Sequence, residues 1–318
     1  MSRSPAQAPV TARAPAKVNL LLEVGPRRDD GYHDLLTVFQ ALDLSEDVTA
    51  SPARGFSVEV SGEDGVDVSG VPLDERNLAL RAALLLAERA GVRAGAHLSV
   101  RKGVPVAGGM AGGSADAAAA LVACDALWGT RLGLPALTEL AAELGADVPF
   151  CLHGRTAVGT GRGDRLVPVL TTAAFHWVLV LHGAGLSTPA VFAECDRLRA
   201  AGGAGPAAAP EAGERLRAVE AALRAGDPRA LGAALGNDLQ EAACSLAPEL
   251  TGALRSGADA GALAGLVSGS GPTVALLAAS APDARRLAGR LRAEHGPRVR
   301  TAHGPVPGAR VLEAVRAR

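Results

Sequence analysis

The sequence predicts an α+β protein built in two halves, and three observations carry this prediction. The chain has 318 residues, which is enough for two domains of the usual ~100–200 residues. Segments with strand-like composition are interspersed with segments whose apolar residues recur at helical spacing. No internal repeat is visible, so we do not expect a repeat array. A boundary near residues 166–172 predicts one domain over residues 1–172 and a second over residues 173–318.

The first half is expected to begin with strands and to continue with helices. Strands are predicted over residues 10–24, 36–47, 56–62 and 97–105. A helix over residues 77–90 has helically spaced apolar residues and stops at Gly91. An Ala-rich helix follows a glycine-rich loop and stops near Gly129, and a short helix is expected at 137–144. Residues 145–169 are expected to form a loop followed by strands.

The second half is expected to open on a strand over residues 175–183. Residues 200–210 have low complexity, which is typical of a mobile excursion without chemistry. Helices are predicted around 211–225 and 249–257, followed by a glycine-rich turn and an apolar run at 267–278. A further helix and a terminal strand complete the prediction.

Composition excludes several classes of protein. A formal net charge of −1 with 48% hydrophobic residues is typical of a globular protein and offers no overall basic field for nucleic acid. No stretch reaches the ~18 apolar residues of a membrane span. The N-terminal segment lacks the apolar region of a secretory signal, so we expect residence in the cytoplasm. The four cysteines form no close pair, which argues against disulfides and zinc.

Lysine usage singles out two positions. Of 32 basic residues only Lys17 and Lys102 are lysine, the rest being arginine. A lysine in such a chain is a candidate for a place where a compact ammonium is needed and a planar fork does not fit. The single tyrosine, Tyr32, is a weaker candidate by the same reasoning. The seven histidines show no ligand spacing, so the sequence predicts no metal site of its own.

One glycine-rich loop has the composition of a phosphate cradle. Gly108, Gly109, Gly112 and Gly113 precede Ser114, where a helix should begin. Glycines let consecutive N–H groups turn toward one anion, and a helix N-terminus adds partial positive charge. The segment is neither a Walker A loop nor a dinucleotide fingerprint. An ordinary loop that caps a buried helix is the alternative.

Other glycine segments carry a weaker signal. Gly269, Ser270 and Gly271 precede an apolar run and could form a tight turn beside the same site or a turn without function. The run at 159–163 is more typical of a hairpin.

Two pairs of side chains are candidates for chemistry. Lys17 beside Asp147 would keep that carboxylate ionised and positioned to orient and deprotonate a hydroxyl; a surface lysine and a turn-capping aspartate are the alternative. Tyr32 could stack on a planar base while His33 forms a hydrogen bond with the edge of that base. A packed lid is the alternative for this second pair.

Four segments together resemble the GHMP kinase superfamily. They are APAKVNLLLEVGPRRDDGYHDLLTVFQALDL, PVAGGMAGGSADAAAAL, LGADVPFCLHGRTAVGTGRGD and VSGSGPTVALL. The resemblance implies an N-terminal half like ribosomal protein S5 domain 2, a ferredoxin-like C-terminal half, and an active site between them. The GYH-containing first segment resembles one branch, and implies ATP-dependent phosphorylation of the 2-hydroxyl of 4-diphosphocytidyl-2-C-methyl-D-erythritol in non-mevalonate isoprenoid synthesis.

The resemblance also implies a role for individual residues. Asp147 matches the catalytic base and Lys17 its partner, while Asn19, Tyr32, His33 and Phe192 match contacts of the substrate. The nucleotide contacts implied are Pro105, Val106, Ala107, Gly108, Gly109, Met110, Ala111, Gly112, Gly113, Ser114, Ala115, Asn77 and Lys102. Mg²⁺ is implied with ATP, without assignable ligands. The expected partner is a small molecule rather than nucleic acid or membrane, and the expected state is a monomer or homodimer.

The loop departs from the family at two positions. Ala111 stands where a glycine is usual and Ala115 where a second serine is usual, so Ser114 is the remaining serine hydroxyl for phosphate or Mg²⁺. Another kinase of the superfamily, such as a homoserine or mevalonate kinase, is the nearest alternative function. A non-catalytic nucleotide-binding module is the alternative from a different class.

Overall fold

A computed structural model describes residues 8–63, 65–182, 185–202 and 209–312 of the chain, without the side chains of residues 209–212. The helices are α1 (Leu78–Ala90), α2 (Gly112–Trp128), α3 (Gly133–Leu144), α4 (Val148–His153), α5 (Thr188–Ala200), α6 (Ala209–Ala225), α7 (Pro228–Ala234), α8 (Gln240–Leu246), α9 (Glu249–Asp259) and α10 (Ala281–His295). The strands are β1 (Val10–Arg27), β2 (His33–Ala53), β3 (Ser57–Gly62), β4 (Gly95–Lys102), β5 (Thr156–Gly161), β6 (Arg165–Pro168), β7 (Phe175–Val180), β8 (Gly236–Asn237), β9 (Ala264–Val267), β10 (Val274–Ala278), β11 (Val299–Gly304) and β12 (Arg310–Val311). The mixture confirms the predicted α+β class.

The larger sheet is organised around two long antiparallel strands, β1 and β2. Among the described strands its order is β12-β1-β2-β4-β3, with β5 and β6 added beside β2 and β8 beside β1. β2 pairs with β5 through its first half and with β4 through its second half. Register shifts near residues 15 and 19 interrupt the β1–β2 ladder, and such irregularities bend strands. The bent β1–β2 hairpin therefore connects the part of the sheet that contains β4 with the part that contains β5.

The second sheet is antiparallel, with the order β11-β7-β10-β9. Alternate residues of β7 point to opposite faces, as the period of a strand requires. Phe175, Trp177 and Leu179 pack toward β1 and β2, whereas Val178 and Val180 pack under α5, α8 and α10. The buried Trp177 indole N–H donates a hydrogen bond to Gln40 Oε1 of β2 at 3.0 Å. The two sheets thus share one core.

The division of the chain into two halves is not strict in the larger sheet. β8 and β12 both come from the segment 173–318, and both pair with β1. The division into residues 1–172 and 173–318 stays a prediction, and these pairings show that the two segments share a sheet. Helices α1 to α4 cover the larger sheet around a core rich in small residues of α2.

Several predicted element ends are confirmed. Gly91 and Gly129 adopt left-handed conformations with φ of 66° and 65°, and their N–H groups bond back to the last turns of α1 and α2. β5 and β6 form the hairpin predicted for residues 159–163.

Other predictions were too short or wrong. β1 and β2 extend beyond the predicted 10–24 and 36–47, because they pair with each other along almost their whole length. Residues 148–153 form helix α4 rather than part of a loop; Pro149 in its first turn suits a helix start. Helix α5 was not predicted. The low-complexity segment at 200–210 falls largely outside the described residues.

The cysteines are unpaired, as expected. Cys124, Cys151 and Cys195 are buried, and burial raises the pKa of the Cys124 thiol to about 12. Within the described part of the chain, no helix has both the length and the apolar character needed to cross a bilayer.

Candidate active site

Lys17 and Asp147 lie together, although they come from distant parts of the chain. Lys17 and Asn19 share one face of β1, and the Lys17 ammonium donates hydrogen bonds to Asn19 Oδ1 at 2.7 Å and to the Gly109 carbonyl at 3.0 Å. The same Nζ atom lies 3.8 Å from Asp147 Oδ2, and the side chains are 5% and 33% exposed. The Lys17 ammonium is therefore held in place by two hydrogen bonds, while the Asp147 carboxylate remains partly exposed.

The carboxylate of Asp147 does not cap the helix that follows it. Asp147 immediately precedes α4, where an aspartate often caps the helix by accepting from its N–H groups. Here its backbone is already helical and its side chain makes no capping bond. The structure therefore does not support the alternative of a purely capping aspartate.

The glycine-rich loop joins β4 to α2 and lines a cavity of about 380 Å³. Gly109 has φ of +73°, and a Cβ there would lie 2.2 Å from the carbonyl oxygen of Ser268. No side chain caps α2 at Ala111, so the N–H groups of the first helical turn are available to an anion. The loop residues that line the cavity are Ala107, Gly108, Gly109, Ala111, Gly112, Gly113 and Ser114.

Part of the predicted loop is structural. Met110 and Ala115 are buried in the core, and Pro105 and Val106 do not line the cavity. Ala111 adopts a left-handed conformation, with φ of +61°. The family's usual glycine would adopt this conformation without strain.

A second glycine segment closes this cavity from the other half of the chain. Ser268 Oγ donates to the Gly109 carbonyl at 3.1 Å, and Thr273 N–H donates to the Gly108 carbonyl at 3.3 Å. Gly269 approaches Lys17 so closely that a Cβ would lie 3.0 Å from Nζ. The predicted turn therefore lies beside the site.

A second cavity of about 720 Å³ adjoins the first. Tyr32 and His33 line it, with Tyr32 largely exposed. The His33 ring lies 5.1 Å from the Phe192 ring, and its Nε2 lies 2.9 Å from Asp196 Oδ1. Since a carboxylate only accepts, Nε2 is the donor, and in the neutral imidazole Nδ1 is an acceptor. The predicted Phe192 is thus brought to His33 by α5.

The two cavities meet at a shared boundary, and the predicted Asp147 lies on it. The residues that line both cavities are Leu35, Ser114, Asp147, Arg162, Thr188 and Phe192. An acceptor bound in the second cavity and phosphates bound in the first would therefore both reach Asp147.

The two predicted nucleotide contacts outside the loop, Asn77 and Lys102, do not line the first cavity either. Asn77 is the N-cap of α1: its Oδ1 accepts from Ala79 N–H at 2.9 Å, and its Nδ2 donates to the Pro72 carbonyl at 2.8 Å. Lys102 is 3% exposed and its ammonium lies 2.8 Å from Glu46 Oε1 and 2.6 Å from Asp116 Oδ2. The polar atoms of both side chains are used within the protein.

Glu46, Lys102 and Asp116 form a buried ion cluster beneath the loop. Burial, reinforced by the nearby Asp116 carboxylate, raises the pKa of Glu46 to about 8. Burial also raises the pKa of Asp116, against the effect of Lys102. Glu46 Oε2 accepts from Gly103 N–H at 2.8 Å, so the cluster supports the start of the loop and the first turns of α2.

Sequence reasoning missed several residues of the site. Arg162, Thr188 and Asp196 line the cavities without having been predicted. Arg162 lies in the run interpreted as a hairpin and in a segment that carries the family resemblance, but no role was assigned to it. Thr188 and Asp196 flank Phe192 in helix α5, which was not predicted. Residues 187–189 could have revealed that helix, since a serine followed by a proline in the first turn is a helix-start signal.

Comparison with known proteins matches segments in both halves of the chain to one family. Models described as "GHMP kinases N terminal domain" and "GHMP kinases C terminal" match residues 77–155 and 219–298. A protein of Kineococcus radiotolerans named 4-diphosphocytidyl-2-C-methyl-D-erythritol kinase is 71% identical over 89% of this chain and 86% of its own. A Nocardia farcinica protein of the same name is 56% identical over 96% and 97%.

Solved structures extend the likeness to three dimensions. A crystal structure of 4-(cytidine 5'-diphospho)-2C-methyl-D-erythritol kinase matches with a TM-score of 0.73 and 34% identity, over 92% of this chain and 98% of that one. Homoserine kinase from Cytophaga hutchinsonii matches with a TM-score of 0.75 at 18% identity, over 98% and 100%, which shows the shared fold. From its matched sequence segments and its fold, the chain belongs to the GHMP kinase family.

Proposed function

We propose that this GHMP kinase transfers the γ-phosphoryl group of ATP to the 2-hydroxyl of 4-diphosphocytidyl-2-C-methyl-D-erythritol. The products are the 2-phosphate and ADP, an intermediate step in non-mevalonate isoprenoid precursor synthesis. The observation that carries the proposal is the meeting of the two cavities at Asp147, with the Lys17 ammonium 3.8 Å behind it. Relatives bearing the name of this activity support the choice of substrate.

ATP is the donor in this family, and the first cavity suits its phosphates. The N–H groups at the start of α2 and the glycine backbone offer donors without side-chain obstruction. Oxygen ligands suit Mg²⁺, and the Ser114 hydroxyl on the shared boundary fits an ion held mainly by phosphate oxygens. When bound, Mg²⁺ would neutralise charge on the triphosphate.

Asp147 orients the attacking hydroxyl and accepts its proton. The Lys17 ammonium, 3.8 Å from Asp147, steadies negative charge near the reacting atoms, while its bonds to Asn19 and Gly109 hold it in place. Phosphoryl transfer demands mostly positioning and electrostatic stabilisation from a protein. A buried, hydrogen-bonded Lys17 can supply the electrostatic stabilisation, and the partly exposed Asp147 can position the hydroxyl.

The second cavity accounts for the cytidyl group. A cytosine ring stacks between Tyr32 and Phe192, since aromatic faces are suited to planar bases. Asp196 sets the tautomer of His33, which leaves Nδ1 to accept a hydrogen bond from an exocyclic amino group. Cytosine has such an amino group, whereas homoserine and mevalonate have no ring to stack.

The kinase is proposed to act on its small-molecule substrate in the cytoplasm as a monomer or homodimer. The formal net charge of −1 supports the absence of a nucleic-acid partner.

Asp147→Asn tests the catalytic assignment. We expect kcat to fall by about 1000-fold, because general-base catalysis contributes ~10²–10⁴-fold, and the Kd of ATP to change by less than about threefold because the loop is intact. ADP release and nucleotide titration measure the two quantities. Glu139→Gln on the exposed face of α3 makes the same charge change outside the site and should leave both unchanged. Wild-type turnover in Asp147→Asn would exclude this role.

A substrate screen tests the acceptor. Wild-type enzyme is assayed for ADP release with the cytidyl compound, homoserine and mevalonate in turn. Turnover with the cytidyl compound alone is expected. A preference for homoserine or mevalonate would favour another kinase of the family, and no ADP release with any of the three would favour a non-catalytic module.

A further inference from the structure

The shared boundary of the two cavities contains one cation among the described residues. Of the residues that line both cavities, Asp147 is acidic and Arg162 is basic. Arg27 lines only the second cavity, and Lys17 only the first. Arg162 is therefore placed where donor and acceptor would meet.

Arg162 is held at this place by the turn of the β5–β6 hairpin. Its backbone N–H donates to Asp164 Oδ1 at 3.3 Å, and its Nη2 donates to Asp164 Oδ2 at 3.2 Å. The glycines on both sides, Gly161 and Gly163, have φ of 70° and 92°. A Cβ on Gly163 would lie 3.4 Å from the Phe39 ring, and that ring's centroid is 5.7 Å from Lys17 Nζ. The turn thus packs beside the catalytic lysine.

The guanidinium retains donors for a ligand. Its side chain is 53% exposed, and its interaction with Asp164 uses one terminal nitrogen. A guanidinium carries further N–H groups in a planar fork that matches two oxygens of a phosphoryl group. Lys17, by contrast, is almost fully buried and already donates to Asn19 and Gly109.

The proposed reaction concentrates negative charge at this boundary. ATP presents a triphosphate from the first cavity, the acceptor presents a diphosphate from the second, and Asp147 adds a carboxylate. Charge spreads over the oxygens of the transferring phosphoryl group, and arginines placed at such groups accelerate transfer. A partly exposed guanidinium at the boundary has the charge and geometry for this task.

We propose that Arg162 is a catalytic residue whose guanidinium binds the oxygens of the phosphoryl group during transfer. The inference rests on the proposed kinase activity. A bond forms between the 2-hydroxyl oxygen and Pγ, and the bond between Pγ and the β-phosphate oxygen breaks. The hydroxyl proton passes to Asp147, and the electron pair of the broken bond stays on ADP. Arg162 transfers no proton and acts only by its charge and hydrogen bonds.

Arg162→Gln and Arg162→Lys test this role, with Arg165→Gln as the matched control. Arg165 is exposed on the same hairpin and lines neither cavity. We expect Arg162→Gln to lower kcat by about 1000-fold or more, because an arginine acting on a transferring phosphoryl group contributes ~10³–10⁵-fold. The KM of ATP should change by less than about threefold, since the loop is untouched. Arg162→Lys should recover only part of the rate, because it lacks the fork.

Chemical rescue separates catalysis from folding. Millimolar guanidinium ion added to Arg162→Ala should restore part of kcat and should have no such effect on Arg165→Ala. Rescue is an activity readout that a merely structural arginine would not show. Wild-type turnover in the same assay tests the kinase activity itself, so failure of that activity is seen before any variant is compared.

Three results would overturn the proposal. They are an Arg162→Gln enzyme with kcat within threefold of wild type, an equal loss in Arg165→Gln, and a rise in the KM of the acceptor at unchanged kcat. The last result would make Arg162 a binding residue for the acceptor's diphosphate instead.

Discussion

At the scale of single residues, the two lysines of the chain meet different surroundings. Lys17 points toward the cavity boundary, where Asp147 is partly exposed. Lys102 lies in the buried cluster with Glu46 and Asp116, where two carboxylates outweigh the effect of burial and raise its pKa. The scarcity of lysine thus identified two special positions, but it could not distinguish a site residue from a structural ion pair.

Lys102→Met should strongly destabilise the fold. The substitution leaves two buried acidic side chains, Glu46 and Asp116, without their cation, and breaking a buried pair in this way costs about 3–5 kcal/mol. Urea denaturation measures the change. Arg101→Met removes a neighbouring cation whose side chain is exposed, and its cost should be about 1 kcal/mol or less. Equal costs for the two variants would contradict the buried cluster.

The proton held by the cluster should make stability depend on pH. The pKa of Glu46 is about 8 in the folded chain, against 4.5 as its ordinary value. Between these values the folded state binds more protons than the unfolded state, so stability falls as pH rises. We expect the free energy of unfolding of the wild type to decrease from pH 5 to pH 8 more than that of Glu46→Gln. Parallel pH profiles would show that Glu46 does not carry this proton.

At the scale of elements, helix α2 begins at Ala111 in a left-handed backbone conformation, which is unfavourable for alanine. Ala111 has φ of +61° at the N-cap, and an L residue pays about 1–2 kcal/mol there. Ala111→Gly should therefore stabilise the chain by up to about 1 kcal/mol, after the greater entropy of unfolded glycine is counted. Thermal unfolding measures this. Ala126→Gly, on the exposed face of α2, should instead lose about 1 kcal/mol. A loss in both variants would contradict strain at Ala111.

The sequence predicted correctly the helix ends that a single residue specifies. Gly91 and Gly129 stop α1 and α2 through left-handed caps, which single residues specify. The ends of β1 and β2 depend instead on how far the two strands remain paired. Helix α4 is only one and a half turns long and depends on packing against α2 and α3. Pairing and packing partners are distant in sequence, so local patterns could not set these ends.

At the scale of the whole molecule, the two sheets are joined by a buried tryptophan. Trp177→Phe removes the hydrogen bond to Gln40 Oε1 and leaves that oxygen buried, which costs about 1–3 kcal/mol. The other tryptophan, Trp128, has a buried indole N–H without a partner in the described structure, so Trp128→Phe should cost less. Urea denaturation compares the two. An equal or larger cost at Trp128 would contradict a specific role for the inter-sheet bond.

The α+β class, the family and the motifs of the candidate site could be predicted from the order of residues alone. Lys17, Asp147, the glycine loop and the Tyr32–His33 pair could be found because each depends on residue type and neighbouring positions. Which of them meet is visible only in the folded chain: Lys17 reaches Gly109 across 92 positions, and His33 reaches Asp196 across 163. The fold also determines that Lys102 and Asn77 are used internally and that Arg162 lies at the boundary. The physical reason is that burial and charge pairing are properties of folded neighbours, which a linear pattern does not contain.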